Sequence, residues 1–160
     1  AITPLDIGEL WALPLMLRLQ LLECIRTLAI QVDQQQRESE EADFWANRLI
    51  TAVRHSAPRL LKIMEELVER YPEPTPHFAS ELVAHLYDDE GALPVVSGWL
   101  ERSLRSPLLE VIQQEHRHQA VQQTALTNAI NSCRRLAQIQ WRELFQSVSW
   151  AESELVGGRG

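Results

Sequence analysis

Glycine, cysteine and lysine are scarce in this 160-residue chain, and each scarcity removes a class of protein. Only Gly8, Gly91 and Gly98 precede a glycine-rich end at Gly157-Gly158-Arg159-Gly160. The sequence therefore has no glycine-rich strand-to-helix turn to cradle phosphates and no G-x-S-x-G turn to expose a nucleophilic serine. The two cysteines, Cys24 and Cys133, lack C-x-x-C spacing and sit in apolar helical patterns; they are expected as buried free thiols, which suits a reducing compartment. Lys62 is the only lysine beside fourteen arginines, cations suited to planar bidentate pairing, so several arginines are expected in internal ion pairs. The longest apolar run, Leu10 to Leu17, falls far short of the roughly 18 residues that a membrane span needs, and the start of the sequence has no basic n-region. Neither a direct membrane span nor a secretion signal is expected.

Positive charge is in the minority as well. Fifteen Lys plus Arg against 22 Asp plus Glu leave a formal charge of −7, which repels a phosphate backbone, so no nucleic-acid partner is expected. What is present is ordinary globular composition, 45% hydrophobic and 23% charged, which excludes whole-chain disorder and disulfide scaffolds. A chain of this length buries about two-thirds of its unfolded surface in one core.

The apolar residues recur at helical rather than alternating spacing, so the fold class is all-α, a helical bundle of about six to seven helices. Leu10, Leu13, Leu17, Leu21, Leu28 and Val32 form a stripe that Leu15, Leu19 and Leu22 widen around most of the circumference, which predicts a central helix. Pro14 is expected to separate a short piece, Leu5 to Leu13, from the long helix that follows. Gln34 to Glu41 is wholly polar and reads as a loop or a solvated helix end, after which Phe44, Trp45, Leu49, Ile50 and Val53 resume the stripe as far as Ser56. Pro58 opens a helix with Leu60, Leu61, Met64, Leu67 and Val68 inward, closed by Tyr71-Pro72-Glu73-Pro74. Thr75-Pro76 and Ser106-Pro107 read as helix starts, with a brief helix from Leu93 to about Leu104 between them. From Pro107 to Gln140 no breaker intervenes, giving a long helix near the C-terminal end. Its length of about 50 Å exceeds the roughly 40 Å diameter of a compact domain of this size, so it should cross the domain with a kink near Thr124 to Thr127. Trp141 to about Val156 reads as a last amphipathic helix. The domain expectation is one helical accessory domain over 4–156 and a flexible tail over 157–160.

No catalytic constellation emerges. Glu115-His116-Arg117-His118 is the densest cluster, and Glu115 with His118 has the spacing of a carboxylate-bridged di-iron helix, yet no second Glu-x-x-His accompanies it, so no metal and no cofactor are expected. Gln113 to Gln119 instead reads as an exposed polar flank. Arg18, Glu23 and Arg26 lie near residues that pattern as buried and would need partners there. Arg18, Arg26 and Arg134 are expected to clamp Glu23, Glu115 and Asn128 across a helix–helix contact, with an anionic ligand as the other reading.

Particular residues also carry a family likeness. Thr3-Pro4-Leu5, Ile7-Gly8-Glu9-Leu10-Trp11-Ala12-Leu13-Pro14, Met16-Leu17-Arg18-Leu19 and Leu28-Ala29 form one block. Glu115-His116, Gln119-Ala120, Asn128, Ser132, Arg134, Leu136, Trp141, Phe145 and Ser147-Val148-Ser149 form a second, in the same order along the chain. Together they resemble the N-terminal helical region of cyclic β-1,2-glucan synthases; Gln34 to Ser106 carries no motif of that family, and Cys24 and Gln140 stand where Asn and Asp would be expected.

The resemblance implies a large bacterial inner-membrane enzyme that builds β-1,2-glucan from UDP-glucose on a protein-linked primer, then trims and cyclises it. This chain would be its non-catalytic N-terminal accessory piece, on the cytoplasmic side, with other domains of the same polypeptide as partners. The expected role is docking, through a polar network of Glu9, Arg18, Glu23, Arg26, Glu115, His116, Gln119, Asn128 and Arg134. The alternative to it is β-1,2-glucan binding, with Trp11, Trp45 or Trp99 stacking on sugar.

Overall fold

The structure, a computed structural model, describes the backbone of residues 7–139 and the side chains of residues 12–139. Over that span the chain is all-α: α1 (Ile7–His55), α2 (Ala57–Arg70), α3 (Pro76–Leu86), α4 (Leu93–Leu104) and α5 (Leu108–Gln138), with no strand. Five helices thus stand among the described residues where six to seven are expected. The expected helix from Trp141 lies outside those residues, and the remaining difference lies in α1.

α1 is one 49-residue helix that runs through both expected interruptions. Pro14 forfeits one backbone bond near the helix start, and the Leu, Met and Arg residues that follow it are good helix formers. The polar stretch stays helical because its side chains pair one turn apart. Gln34 Nε2 donates to Glu38 at 3.0 Å, Gln36 Nε2 to Glu40 at 3.2 Å, and Arg37 meets Asp33 at 2.8 Å. Each such pair contributes about 0.2–0.5 kcal/mol to a helix that contains no breaker there.

The other boundaries follow local chemistry. Ser56 alone lies between α1 and α2, with Pro58 in the first turn of α2, and Tyr71 closes α2 with its amide on the Leu67 carbonyl at 2.9 Å. The Thr75 hydroxyl accepts from the Phe78 amide at 3.1 Å and caps α3. Asp89 accepts from the Gly91 and Ala92 amides at 3.1 and 2.8 Å ahead of α4. Arg105 ends α4 in the left-handed region, at φ 55°. α5 passes Thr124 to Thr127 without a break.

The chain divides into two compact units, Ala29–Gln123 and Ala1–Leu28 with Thr124–Gly160. The first holds the main core. Leu49 and Ala52 from α1, Leu67 from α2, Phe78, Leu82 and Leu86 from α3, and Val96 and Leu100 from α4 are all buried, with Leu108 from the start of α5 joining them. Each such buried leucine contributes roughly 1.5–3 kcal/mol of transfer free energy. Tyr71 stacks on Phe78 with centroids 4.3 Å apart and meets the edge of Trp45 at 6.5 Å. On α2 the inward face is Ile63, Met64 and Leu67; Leu61 and Val68, expected there, are exposed.

The second unit corrects the expectation of a central first helix. Leu15, Met16, Leu19 and Leu22 are exposed, Leu15 by 62%. Leu21, Ile25 and Leu28, on the opposite side of the helix, are only partly covered. A leucine-rich circumference suggests burial on all sides, whereas Leu13, Leu15, Met16, Leu17, Leu19 and Leu22 are all exposed. Cys24 is exposed and Cys133 is half-buried; both are free thiols, but neither is buried. The arginine ion pairs are likewise at the surface rather than internal. Arg48–Glu66, the least exposed of them at 2.6 Å, still leaves about a third of each side chain in water (34% and 41%). Among the described residues no helix is long and apolar enough to cross a membrane.

Candidate functional site

In Ala29–Gln123 the apolar stripes of α1 and α5 both turn polar over the same stretch. On α1 the inward positions before Ala42 carry Gln35 and Ser39; on α5 those after Val111 carry Glu115, Gln119 and Gln122. His77, in the first turn of α3, fits between them. Its Nδ1 lies 3.0 Å from Glu115 Oε1, and its Nε2 lies 3.0 Å from the Gln35 carbonyl and 3.1 Å from Ser39 Oγ. Gln119 Nε2 donates to Glu115 Oε1 at 3.2 Å and lies 3.1 Å from His77 Nδ1. Glu115 is 6% exposed and His77 12%. Gln35 Nε2 donates to Gln122 Oε1 at 3.1 Å, and Gln122 Nε2 to Gln31 at 3.4 Å, so the seam extends along both helices.

The imidazole thus faces a carboxylate on one nitrogen and a carbonyl on the other. Both acceptors are satisfied at once by the doubly protonated ring, and the Gln119 amide can donate to Nδ1 of a neutral ring. The serine–histidine–glutamate distances also match those of a nucleophilic triad, but the geometry does not activate the serine. Ser39 Oγ donates its proton to the Gln35 carbonyl at 3.0 Å, and the residue sits inside a regular helix rather than on a strained turn. No buried side-chain nitrogen or oxygen among the described residues is left without a partner.

Of the residues singled out in the sequence, Glu115 and Gln119 meet in this seam. The expected exposed flank is corrected accordingly: Glu115 points inward and Gln119 is half-buried, while His116 and His118 face solvent. The expected cross-helix clamp is corrected too. Arg26 binds Glu23 on its own helix, at 2.7 and 3.0 Å, with both side chains about 60% exposed (64% and 60%). Those bonds hold Glu23 below the ordinary carboxylate range and raise Arg26. Arg18 reaches the Leu136 carbonyl at 3.5 Å; Asn128 and Arg134 are exposed. Trp45 and Trp99, expected as sugar-stacking platforms, are 8% and 5% exposed and belong to the core, because their rings fill the space between helices. The side chains of Glu9 and Trp11 lie outside the described residues. Among the described residues no three His, Cys, Asp or Glu side chains gather as metal ligands would.

Over 157 residues, 96% of its length, the chain is 28% identical to the cyclic β-(1,2)-glucan synthase NdvB of Rhizobium meliloti (strain 1021). The chain resembles a segment of a cyclic β-(1,2)-glucan synthase. It spans 5% of the length of that synthase. No protein-family model matches the chain, and no solved structure matches it.

The two blocks of synthase likeness occupy different surroundings. Residues of the first, such as Met16, Leu17 and Leu19, lie on the exposed stretch of α1, whereas Glu115 and Gln119 of the second are the α5 side of the seam. His77, Gln35 and Ser39 were missed from the sequence. Their signal was present: a polar residue on an inward helical stripe must be paired, and α1 and α5 both carry such residues. The partner histidine sits on a third helix that periodicity does not connect to either.

Proposed function

We propose that the chain is a non-catalytic structural and docking domain, N-terminal in a glycosyltransferase that resembles cyclic β-(1,2)-glucan synthase and makes β-1,2-glucan from UDP-glucose. In this reading its partners are other domains of the same polypeptide, and it works on the cytoplasmic side of a bacterial inner membrane. The observation that carries the reading is the alignment, which takes in nearly all of this chain and one-twentieth of the synthase. Two features of the molecule support a structural role. Its buried histidine–carboxylate pair links α1, α3 and α5. Its long α1 also presents an open apolar stripe, of the kind that marks a protein-contact surface.

The test is a synthase of the resembling kind whose matching segment is deleted or replaced by this chain. Deletion should lower the yield or alter the length of the glucan, replacement should restore it, and the isolated chain should leave UDP-glucose unconsumed. Glucan made normally without the segment, or sugar-nucleotide turnover by the chain alone, would overturn the reading.

A further inference from the structure

The antiparallel pair of α1 and α2 encloses a groove of about 600 Å³ that is open along one side. Its floor is fixed. Arg48 lies over the Trp45 ring at 4.7 Å and the Phe44 ring at 5.6 Å, and Glu66 holds its guanidinium at 2.6 Å. Its rim is not neutralised. Phe44 is 56% exposed, and Arg59 and Lys62, one turn apart on α2, are exposed and make no ion pair among the described residues. The one acidic group on the α1 wall, Asp43, is already engaged by the Asn47 amide at 3.0 Å and by His85 at 3.7 Å. In a chain of net charge −7, two unpaired cations beside an exposed aromatic ring form a local site of opposite sign.

We infer that this groove receives an acidic peptide segment carrying an apolar side chain. Carboxylates of the segment meet Arg59 and Lys62, and its apolar side chain packs on Phe44. The open side favours an extended or helical segment over a small molecule, because a small-molecule site buries most of its ligand. The fixed Arg48–Glu66 pair leaves the two rim cations free to answer negative charge. The inference rests on the docking reading and names the chemistry of the segment that would be docked.

Lys62 gives a direct probe because it is the only lysine. In the 160-residue chain, reductive 13C-methylation labels Lys62 and the α-amino group alone. The labelled chain is titrated with the peptide acetyl-Glu-Glu-Phe-Glu-Glu-amide, with its all-glutamine counterpart, and with inorganic phosphate. The Lys62 methyl resonance should shift saturably with the acidic peptide and bind the glutamine counterpart at least about tenfold more weakly. Arg59→Gln and Phe44→Ala, both at exposed positions that should leave the fold intact, should each weaken the acidic peptide by about threefold or more. No shift, equal binding of the two peptides, or phosphate saturating Lys62 at the same concentrations would overturn the inference. If the chain still restores the synthase in the replacement experiment while Lys62 ignores the peptide, the groove assignment falls and the docking reading stands. If Lys62 responds as expected while replacement fails, the docking reading falls and the groove remains an acidic-peptide site.

Discussion

Replacing Glu115 by glutamine removes one negative charge from the seam and almost no volume. The carboxylate lies 3.0 Å from His77 Nδ1 and accepts from Gln119 Nε2 at 3.2 Å, and the Glu115 and His77 side chains are only 6% and 12% exposed. A hydrogen bond to a charged group contributes about 1.5–3 kcal/mol net, and breaking a buried pair on one side costs about 3–5 kcal/mol. The amide of Glu115→Gln can still accept one bond, so its cost should lie near 2–3 kcal/mol, while Glu115→Ala should reach the upper range. In urea, at an m-value of about 1–3 kcal/mol per molar, that loss lowers the midpoint by roughly 1 M. A double-mutant cycle with His77→Ala should return a coupling of about 1–3 kcal/mol, whereas Glu110→Gln, on the exposed face of α5, should stay within about 0.5 kcal/mol. Unfolding followed by circular dichroism measures all of these. A Glu115→Gln chain as stable as the original, or a coupling near zero, would show that the seam does not hold the three helices together.

A methyl group built on Gly91 would run into Val53 Cγ1, so Gly91→Ala should cost about 1–3 kcal/mol through overpacking, and Val53→Ala should recover part of it in the double variant. Leu82→Ala, in the middle of the core, should cost about 2–5 kcal/mol, while Leu19→Ala, on the open stripe of α1, should change stability by less than about 0.5 kcal/mol. Burial, and then the hydrogen bond to Glu41, push the Tyr71 phenol up to about 12. In Tyr87→Phe, which leaves Tyr71 the only tyrosine, phenolate absorbance should therefore appear with a midpoint of about 12, and Glu41→Gln should lower it. Because the folded value lies above the unfolded one of about 10, the contribution of Tyr71 to stability is complete below pH about 10 and is lost as the pH rises through the folded value. A midpoint of about 10 would contradict the partner geometry of Tyr71.

The parts of the fold legible in the sequence were those written in local chemistry. Thr75-Pro76 starts α3, Tyr71-Pro72-Glu73-Pro74 ends α2, and the absence of breakers after Pro107 gives the long α5. What misled was inference from composition to burial. Gln34 to Glu41 suggested a loop because it is polar, yet side-chain pairs one turn apart keep it helical. The leucines between Leu13 and Leu22 suggested a central helix, yet a helix rich in leucine all round is buried only if neighbours cover every face. The tryptophans failed as sugar platforms for the complementary reason: Trp45 and Trp99 lie on the faces that α1 and α4 turn inward. Of the seam, only Glu115 and Gln119 stand out in the sequence, since the pairing with His77 joins residues 38 and 42 positions apart on different helices and leaves no periodic trace.

The replacement experiment bears most directly on what the chain is for. With this chain in place of the matching segment, a synthase of the resembling kind should make glucan at the yield and length of the intact enzyme, while the chain by itself leaves UDP-glucose untouched. Glucan unchanged when the segment is simply deleted, or sugar nucleotide consumed by the isolated chain, would contradict a structural and docking role.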